Sequence, residues 1–220
     1  MEAFHPRLED LPEEIAIFPL AGAMLLPGGK LPLNIFEPRY LNMTLDALGN
    51  GRMFGMVQGD PSRARDERGT AIFGVGCVGR LSSFAETEDG RLLITLSGVI
   101  RFRVAEEIEM RRGYRRVRAD YSPYVEDLVP PPPVSLPRDA ILNTLRPYFA
   151  SKGIEANWQA IEGMPDAMLV TTLSMVCPFT IAEKQALLEA ETLTDRAEAL
   201  VALLRMSALG GDDEGNARPS

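Results

Sequence analysis

Gly74-Val75-Gly76-Cys77-Val78-Gly79 has the G-x-G-x-x-G spacing that, between a strand and a helix, lets backbone approach a pyrophosphate held by helix N–H groups. The residues that follow, Arg80 to Phe84, are strand-like and lead into a hairpin, so no helix is there to receive an anion. These glycines read instead as places where strands bend or approach closely. Gly28-Gly29-Lys30 has the look of the end of a phosphate-binding loop, yet Met24 stands where its first glycine belongs and Leu31 replaces the Mg²⁺-holding Ser or Thr. His5 is the single histidine and precedes the folded region, which argues against Ser-His-Asp, Cys-His and histidine-rich zinc chemistry. A Ser-Lys dyad would have to draw on Lys30, Lys152 or Lys184, and the last two sit in polar helical contexts that read as solvated charges. Glu13-Glu14 and Glu106-Glu107 are adjacent pairs, which diverge in a strand rather than converge on a substrate. No catalytic, cofactor-binding or metal-binding residue is assigned, and no cofactor is expected.

One charge cluster does offer binding chemistry. Arg111, Arg112, Arg115, Arg116 and Arg118 surround Tyr114, with Arg101 and Arg103 on the preceding strand. Period-two spacing puts Arg101 with Arg103, and Arg116 with Arg118, on common faces. Such a ribbon is a candidate contact for RNA phosphates, with Tyr114 or Tyr121 stacking on a base. The competing reading is a solvated sheet face paired with local acids, with Arg101 set apart by packing near Phe102.

The elements that must position these residues follow from changes in hydrophobic period. Ile17 to Tyr40 alternates short apolar pieces with Pro and Gly, which is strand-and-turn chemistry. Pro38 suits the first position of a helix running to Leu48, with Leu41, Leu45 and Leu48 on one face and Gly49-Asn50-Gly51 ending it. Phe36, inside an apolar strand just before that helix, is expected to be a buried anchor. Met53 to Val57 reads as a strand, Asp60 to Gly69 as an exposed loop, and Ala71 to Phe84 and Arg91 to Ser97 as strands joined across Glu88-Asp89-Gly90. Val99 to Glu107 and Tyr114 to Tyr121 form a further pair around Arg112-Gly113. Pro130 to Pro133 favour a stiff polyproline II connector, and beyond it the period becomes helical. Ile141, Leu142, Leu145, Tyr148 and Phe149 mark one helix, loosened at Pro147, and Met164 to Val176 another. Thr180-Ile181-Ala182-Glu183 has capping-box spacing for a third helix, to about Ala190. A fourth, opened by Thr192 to Asp195, carries its stripe on Ala197, Leu200, Val201 and Leu204 and runs to about Leu209. The expected organisation is a β domain over 13–128, a Pro-rich linker over 129–136, a helical bundle over 137–209 and a disordered tail over 210–220, in which the two main parts fold separately.

Composition bounds the class. In 220 residues, 45% apolar and 25% charged, the chain reads as an ordinary soluble globular protein. A formal net charge of −8 disfavours general nucleic-acid or anionic-membrane binding. No apolar run approaches the ~20 residues that span a bilayer, and MEAFHPRLEDLPEE lacks the basic start and apolar centre of a signal peptide, so a cytoplasmic protein is expected. Cys77 and Cys177, one in each half, read as buried thiols.

Phe18-Pro19-Leu20, Pro27-Gly28, Leu31-Pro32-Leu33, Ile35-Phe36-Glu37-Pro38-Arg39-Tyr40, Phe54-Gly55, Val75-Gly76, Asp89-Gly90-Arg91, Gly98 and Arg101-Phe102, taken in order, resemble the Lon (protease La) N-terminal substrate-recognition domain. In the helical half, Pro178 and Glu183 to Ala190 are similar to small bacterial stand-alone members of that family. The likeness extends from about Ile15 to Leu209, and Asn34 departs from the His that many relatives carry after Leu-Pro-Leu. The resemblance implies an α+β fold: a PUA-like, mostly antiparallel β pseudobarrel followed by an α-helical bundle. No Walker A sequence, AAA+ module or protease domain follows the helices, so the expectation is a free-standing module without ATPase or protease activity. It would bind unfolded polypeptide or degron segments, as an adaptor or recognition factor in protein quality control, with a protease as a candidate partner. The alternative is an RNA-binding PUA-like protein using Arg111, Arg112, Tyr114, Arg115, Arg116 and Arg118.

Overall fold

The structure, a computed structural model, describes residues 6–130 and 136–209. His5, most of the expected connector and the expected tail lie outside them. Six strands are present: β1 Glu14–Pro19, β2 Lys30–Ile35, β3 Met53–Val57, β4 Val75–Glu86, β5 Leu92–Arg111 and β6 Tyr114–Asp120. Six α-helices accompany them: α1 Pro38–Gly49, α2 Arg138–Ser151, α3 Trp158–Glu162, α4 Asp166–Val176, α5 Ile181–Glu189 and α6 Leu193–Leu209. Short 3₁₀ turns at Leu8–Asp10 and Ser122–Leu128 and the five-residue α3 carry too little periodicity to be read from sequence.

The strands are ordered β2-β5-β4-β3-β1-β6, and β6 pairs again with β5. That last pairing closes β1, β3, β4, β5 and β6 into a barrel and leaves β2 outside it. Among the described residues, only the β1–β3 pairing is parallel. Closure depends on the length of β5. The stretches 91–97 and 99–107, expected as two strands, are one continuous strand whose first part pairs with β2 and β4 and whose last part pairs with β6. At the expected break the strand carries a bulge at Val99 and Gly98 stays paired with Gly79, and Leu26 crosses directly over Gly98: a Cβ there would stand 2.7 Å from the Leu26 carbonyl carbon.

The literal G-x-G-x-x-G lies largely within β4, where it serves packing. A Cβ on Gly76 would stand 2.6 Å from the Met56 carbonyl oxygen and 2.8 Å from the Phe102 ring. The ring itself is fully buried in a cluster with Ile15, Ile17, Val57, Val78, Ile100 and Val117, which fills the barrel.

Local signals set the helix ends. Pro38 occupies the first turn of α1, and the Thr180–Glu183 capping box is formed, with Glu183 N–H donating to Thr180 Oγ1 at 3.3 Å and Thr180 N–H donating to Glu183 at 2.7 Å. The buried face of α1 is Tyr40, Met43, Thr44 and Ala47, not Leu41, Leu45 and Leu48; Leu45 points to solvent. Tyr40 sets that face by packing on Phe18, ring centroids 4.1 Å apart. In the helical half, Ile141, Leu145, Tyr148 and Phe149 of α2 and Ala197, Leu200, Val201 and Leu204 of α6 are buried as their spacing predicts. The same apolar cluster takes in Phe54, Met56, Cys77 and Leu96 of the sheet, so one core runs through both halves.

Candidate functional site

Outside the barrel, β2, the first part of β5 and the last part of β4 form a three-stranded flap. Pleating divides its side chains. Ile35, Leu92, Ile94 and Leu96 turn inward and are buried, while Pro32, Asn34, Ser83, Ala85, Leu93 and Thr95 belong to the outer face. A shallow trough of about 500 Å³ runs over these strands. Leu93, in its lining, is 48% exposed, and Phe36, continuing the outward row of β2, is 61% exposed with the Arg91 guanidinium 5.8 Å from its ring. Phe36 is therefore not the buried anchor expected. The alternation that buries Ile35 must turn Phe36 outward, a signal the sequence already carried. The helical half holds a separate apolar pocket of about 280 Å³, lined among others by Phe149, Leu169, Leu173 and Cys177, with Glu155 and Thr172 its polar members.

The arginines around Tyr114 do not converge. Arg112 donates to Asp46 at 2.5 Å and to Asn42 at 2.7 Å, and Arg111 lies 3.7 Å from the same Asp46. Arg115 is buried, forked onto Glu107 at 2.6 and 3.0 Å and donating to the Thr70 carbonyl at 2.7 Å. Arg116 pairs with Glu14 at 2.5 Å, and Arg118 with Glu106 and Glu14. Tyr114 is itself buried and donates its hydroxyl to Asp46 at 2.8 Å, and Tyr121 is buried with its hydroxyl on the Pro12 carbonyl, so neither presents a ring for base stacking. Each of these arginines meets a carboxylate, which lowers the positive potential a phosphate backbone needs. Glu106 and Glu107 serve different arginines on opposite faces, as adjacent strand residues must.

Arg101 and Arg103 share a strand but not a fate. Arg103 is exposed, whereas Arg101 is 5% exposed and forked onto Asp127 at 2.9 Å through both Nε and Nη2. Arg101 also donates to the carbonyls of Leu188 in the last turn of α5 and of Ala190 and Glu191 just beyond it, and its guanidinium lies 4.6 Å from the Tyr124 ring centre. Beside it, Arg196 is buried and donates to the Leu187 carbonyl at 2.8 Å; burial first, then the Arg101 charge, pushes its pKa down to about 10.

Lys184, read from sequence as solvated, is 7% exposed. Its Nζ donates to the Gly22 carbonyl at 2.7 Å and the Met175 carbonyl at 3.1 Å, and burial lowers its pKa. From within α5 the residue ties the loop after β1 to the last turn of α4; a lysine with two carbonyl partners is a clamp, and neither partner is a serine hydroxyl. Both thiols are buried, and burial raises their pKa values, that of Cys177 to about 12, which makes them poor nucleophiles. Among the described residues no group of His, Cys, Asp and Glu side chains is placed to hold a metal, and no helix is long and apolar enough to cross a membrane.

Comparison with known proteins gives this architecture a relationship. Over 200 residues the chain is 25% identical to a Lon protease of Flavobacterium johnsoniae, a match covering 86% of this chain and 23% of that protein. Over 112 residues it is 26% identical to Lon protease 2 of Myxococcus xanthus, covering 51% of this chain and 13% of that one. It thus spans under a quarter of the length of these relatives. The crystal structure of a Lon N-terminal domain protein from Xanthomonas campestris superposes with a TM-score of 0.61 at 23% identity, over 86% of this chain and 97% of that one, and so has the same fold. Residues 14–206 match the ATP-dependent protease La (LON) substrate-binding domain, and the chain belongs to that family.

Proposed function

We propose that this protein is a polypeptide-recognition module that engages unfolded or degron-bearing segments through the outer face of the β2–β5–β4 flap, with no ATPase or protease activity of its own. Its place is in cytoplasmic protein quality control, as an adaptor or recognition factor that hands clients to a protease. The observation that carries the reading is the exposed Leu93 lining an open trough, with Phe36 exposed just past the end of β2, in a chain of the LON substrate-binding family. Apolar side chains left in water beside an unfilled groove are what an extended client can cover. A single weak site of this kind, without the avidity of an oligomer, corresponds to micromolar affinity, roughly −8 kcal/mol.

Fluorescence anisotropy with a reduced, unfolded protein and with single-stranded RNA, each at low and high salt, tests it. Saturable polypeptide binding that persists at high salt and weakens about tenfold in Leu93→Asp is expected. Salt-sensitive RNA binding without polypeptide binding, lost when Arg112 and Arg116 are both changed to Ala, would overturn it.

A further inference from the structure

Among the described residues the flap ends in two unpaired strand edges, and the sequence treats them differently. Gly98 N–H donates to the Gly29 carbonyl, and Thr87 N–H donates to the Arg91 carbonyl. With the strand registers, these bonds fix which backbone groups face outward. On β2, Leu31, Leu33 and Ile35 bond to β5, so Pro32 and Asn34 face the free edge. Pro32 has no N–H to offer, and the middle of that edge is closed to a further strand. On β4, Ser83 and Ala85 bond to β5, leaving the N–H and C=O of Phe84 and Glu86 facing away from the sheet. The pairing of β3 with β4 stops at Arg80, so among the described residues no strand covers positions 82–86.

We infer that this segment of β4 is a docking edge for an extended polypeptide, which binds by adding an antiparallel strand to the flap. The inference rests on the polypeptide-binding reading and specifies its mode. An edge with unfilled donors and acceptors alternating at the strand period takes a backbone in the same conformation. Charge selects the occupant. Glu86 and Glu88 stand exposed at the hairpin end, without an ion pair among the described residues, and Phe84 is 50% exposed on the same face as Glu86. The partner is therefore an extended segment with an apolar or aromatic residue beside Phe84 and a Lys or Arg two positions along, beside Glu86. Its alternate side chains continue the outer face past Ser83 and Ala85, which joins the docked strand to the trough.

The probe is the synthetic peptide Lys-Thr-Phe-Thr-Val-Thr-Lys, in three forms: unmodified, N-methylated at odd positions, and N-methylated at even positions. Strand addition requires that one methylated set lose about tenfold in affinity while the other binds as the parent does, because only alternate amides reach the edge. On binding, the Phe84 and Glu86 amides of the full-length protein should gain protection from hydrogen exchange. Glu86→Pro, which removes an outward donor without breaking the ladder, should weaken binding well beyond Glu86→Gln at an unchanged melting temperature. Peptide binding with both methylated sets equally tolerated, or with those two amides unprotected, would refute strand addition while leaving polypeptide recognition intact. Absence of any binding by the peptide and by unfolded protein would sink both. Protection of the same amides without peptide, in a sedimenting dimer, would assign the edge to a second copy of the chain and overturn the proposal.

Discussion

Burial decides the role of individual residues here more than type does. Phe36 and Phe102 are both aromatic residues in β-rich surroundings, yet one stands in solvent and the other fills the barrel. Phe36→Ala should change unfolding free energy by less than about 1 kcal/mol, since little of the ring leaves water on folding. The same substitution should weaken polypeptide binding, so chemical denaturation and anisotropy on one variant check both halves of the statement. Asp46 illustrates how neighbours set a charge. Burial alone would raise its pKa, but the hydrogen bonds from Tyr114 and Arg112 and the charges of Arg112 and Arg111 outweigh burial and hold it below the ordinary value of 3.8. A carboxylate with a depressed folded pKa stabilises fully above its unfolded value and loses that contribution as pH falls through the folded one. Asp46→Asn should therefore be less stable than wild type at neutral pH, and the gap should narrow in urea unfolding curves as the pH is lowered through and below 3.8.

Elements are positioned by close backbone approaches as much as by side-chain packing. The loop from Met24 to Leu26 lies against β5 so tightly that only glycine fits at position 98. Gly98→Ala should cost about 1–3 kcal/mol, because the obstacle is the Leu26 backbone rather than a side chain that can rotate away. Gly90→Ala meets no neighbour within 4 Å but needs φ of +77°, so its penalty should be smaller and confined to the hairpin turn. Thermal unfolding of the two variants, with amide exchange at Gly28 and Leu96 as a local readout, separates a steric cost from a turn cost. The capped start of α5 and the proline start of α1 show the complementary case, elements whose ends are decided by a few adjacent residues.

At the scale of the molecule, buried polar side chains tie the helical half to the barrel. Arg101 reaches the end of α5, Lys184 reaches the Gly22 carbonyl, and Gln58 and Gln185 bond each other at 3.1 Å. Arg101→Ala would leave the Asp127 carboxylate with only the backbone N–H of position 101, and the carbonyls of Leu188 and Ala190 without the guanidinium, at a cost of about 3–5 kcal/mol. The pair replacement Arg101→Met with Asp127→Leu should recover only part of that loss, as equilibrium denaturation can measure, because it removes the unpaired carboxylate but also the acceptor of the position-101 N–H. We propose that 13–128 and 137–209 are folding units joined through 129–136. After proteolytic cutting between 129 and 134, the β piece is expected to keep its circular dichroism, since a cluster of its own fills the barrel. The helical piece should stay bound to it, because its core is shared with the sheet. A helical spectrum from the isolated first piece would contradict this organisation.

Local chemistry in the sequence determined the α+β class, most strand and helix positions, the hairpins at Asp89-Gly90 and Arg112-Gly113, the cap at Thr180 and the packing role of Gly76. Each is encoded within a few residues, by φ preferences, missing N–H groups or hydrophobic period. The family signature was equally legible, because it consists of such local pieces in order. Tertiary structure alone decided that β5 runs unbroken and closes the barrel, that Arg101 and Lys184 are buried while Phe36 is not, and that the arginines near Tyr114 are matched by carboxylates. Those outcomes depend on partners far along the chain: the carbonyl that accepts from Arg101 belongs to Ala190, 89 positions away, and the one that accepts from Lys184 to Gly22, 162 positions away. A charged side chain is solvated or buried according to what folds over it, and no window of neighbouring residues contains that information.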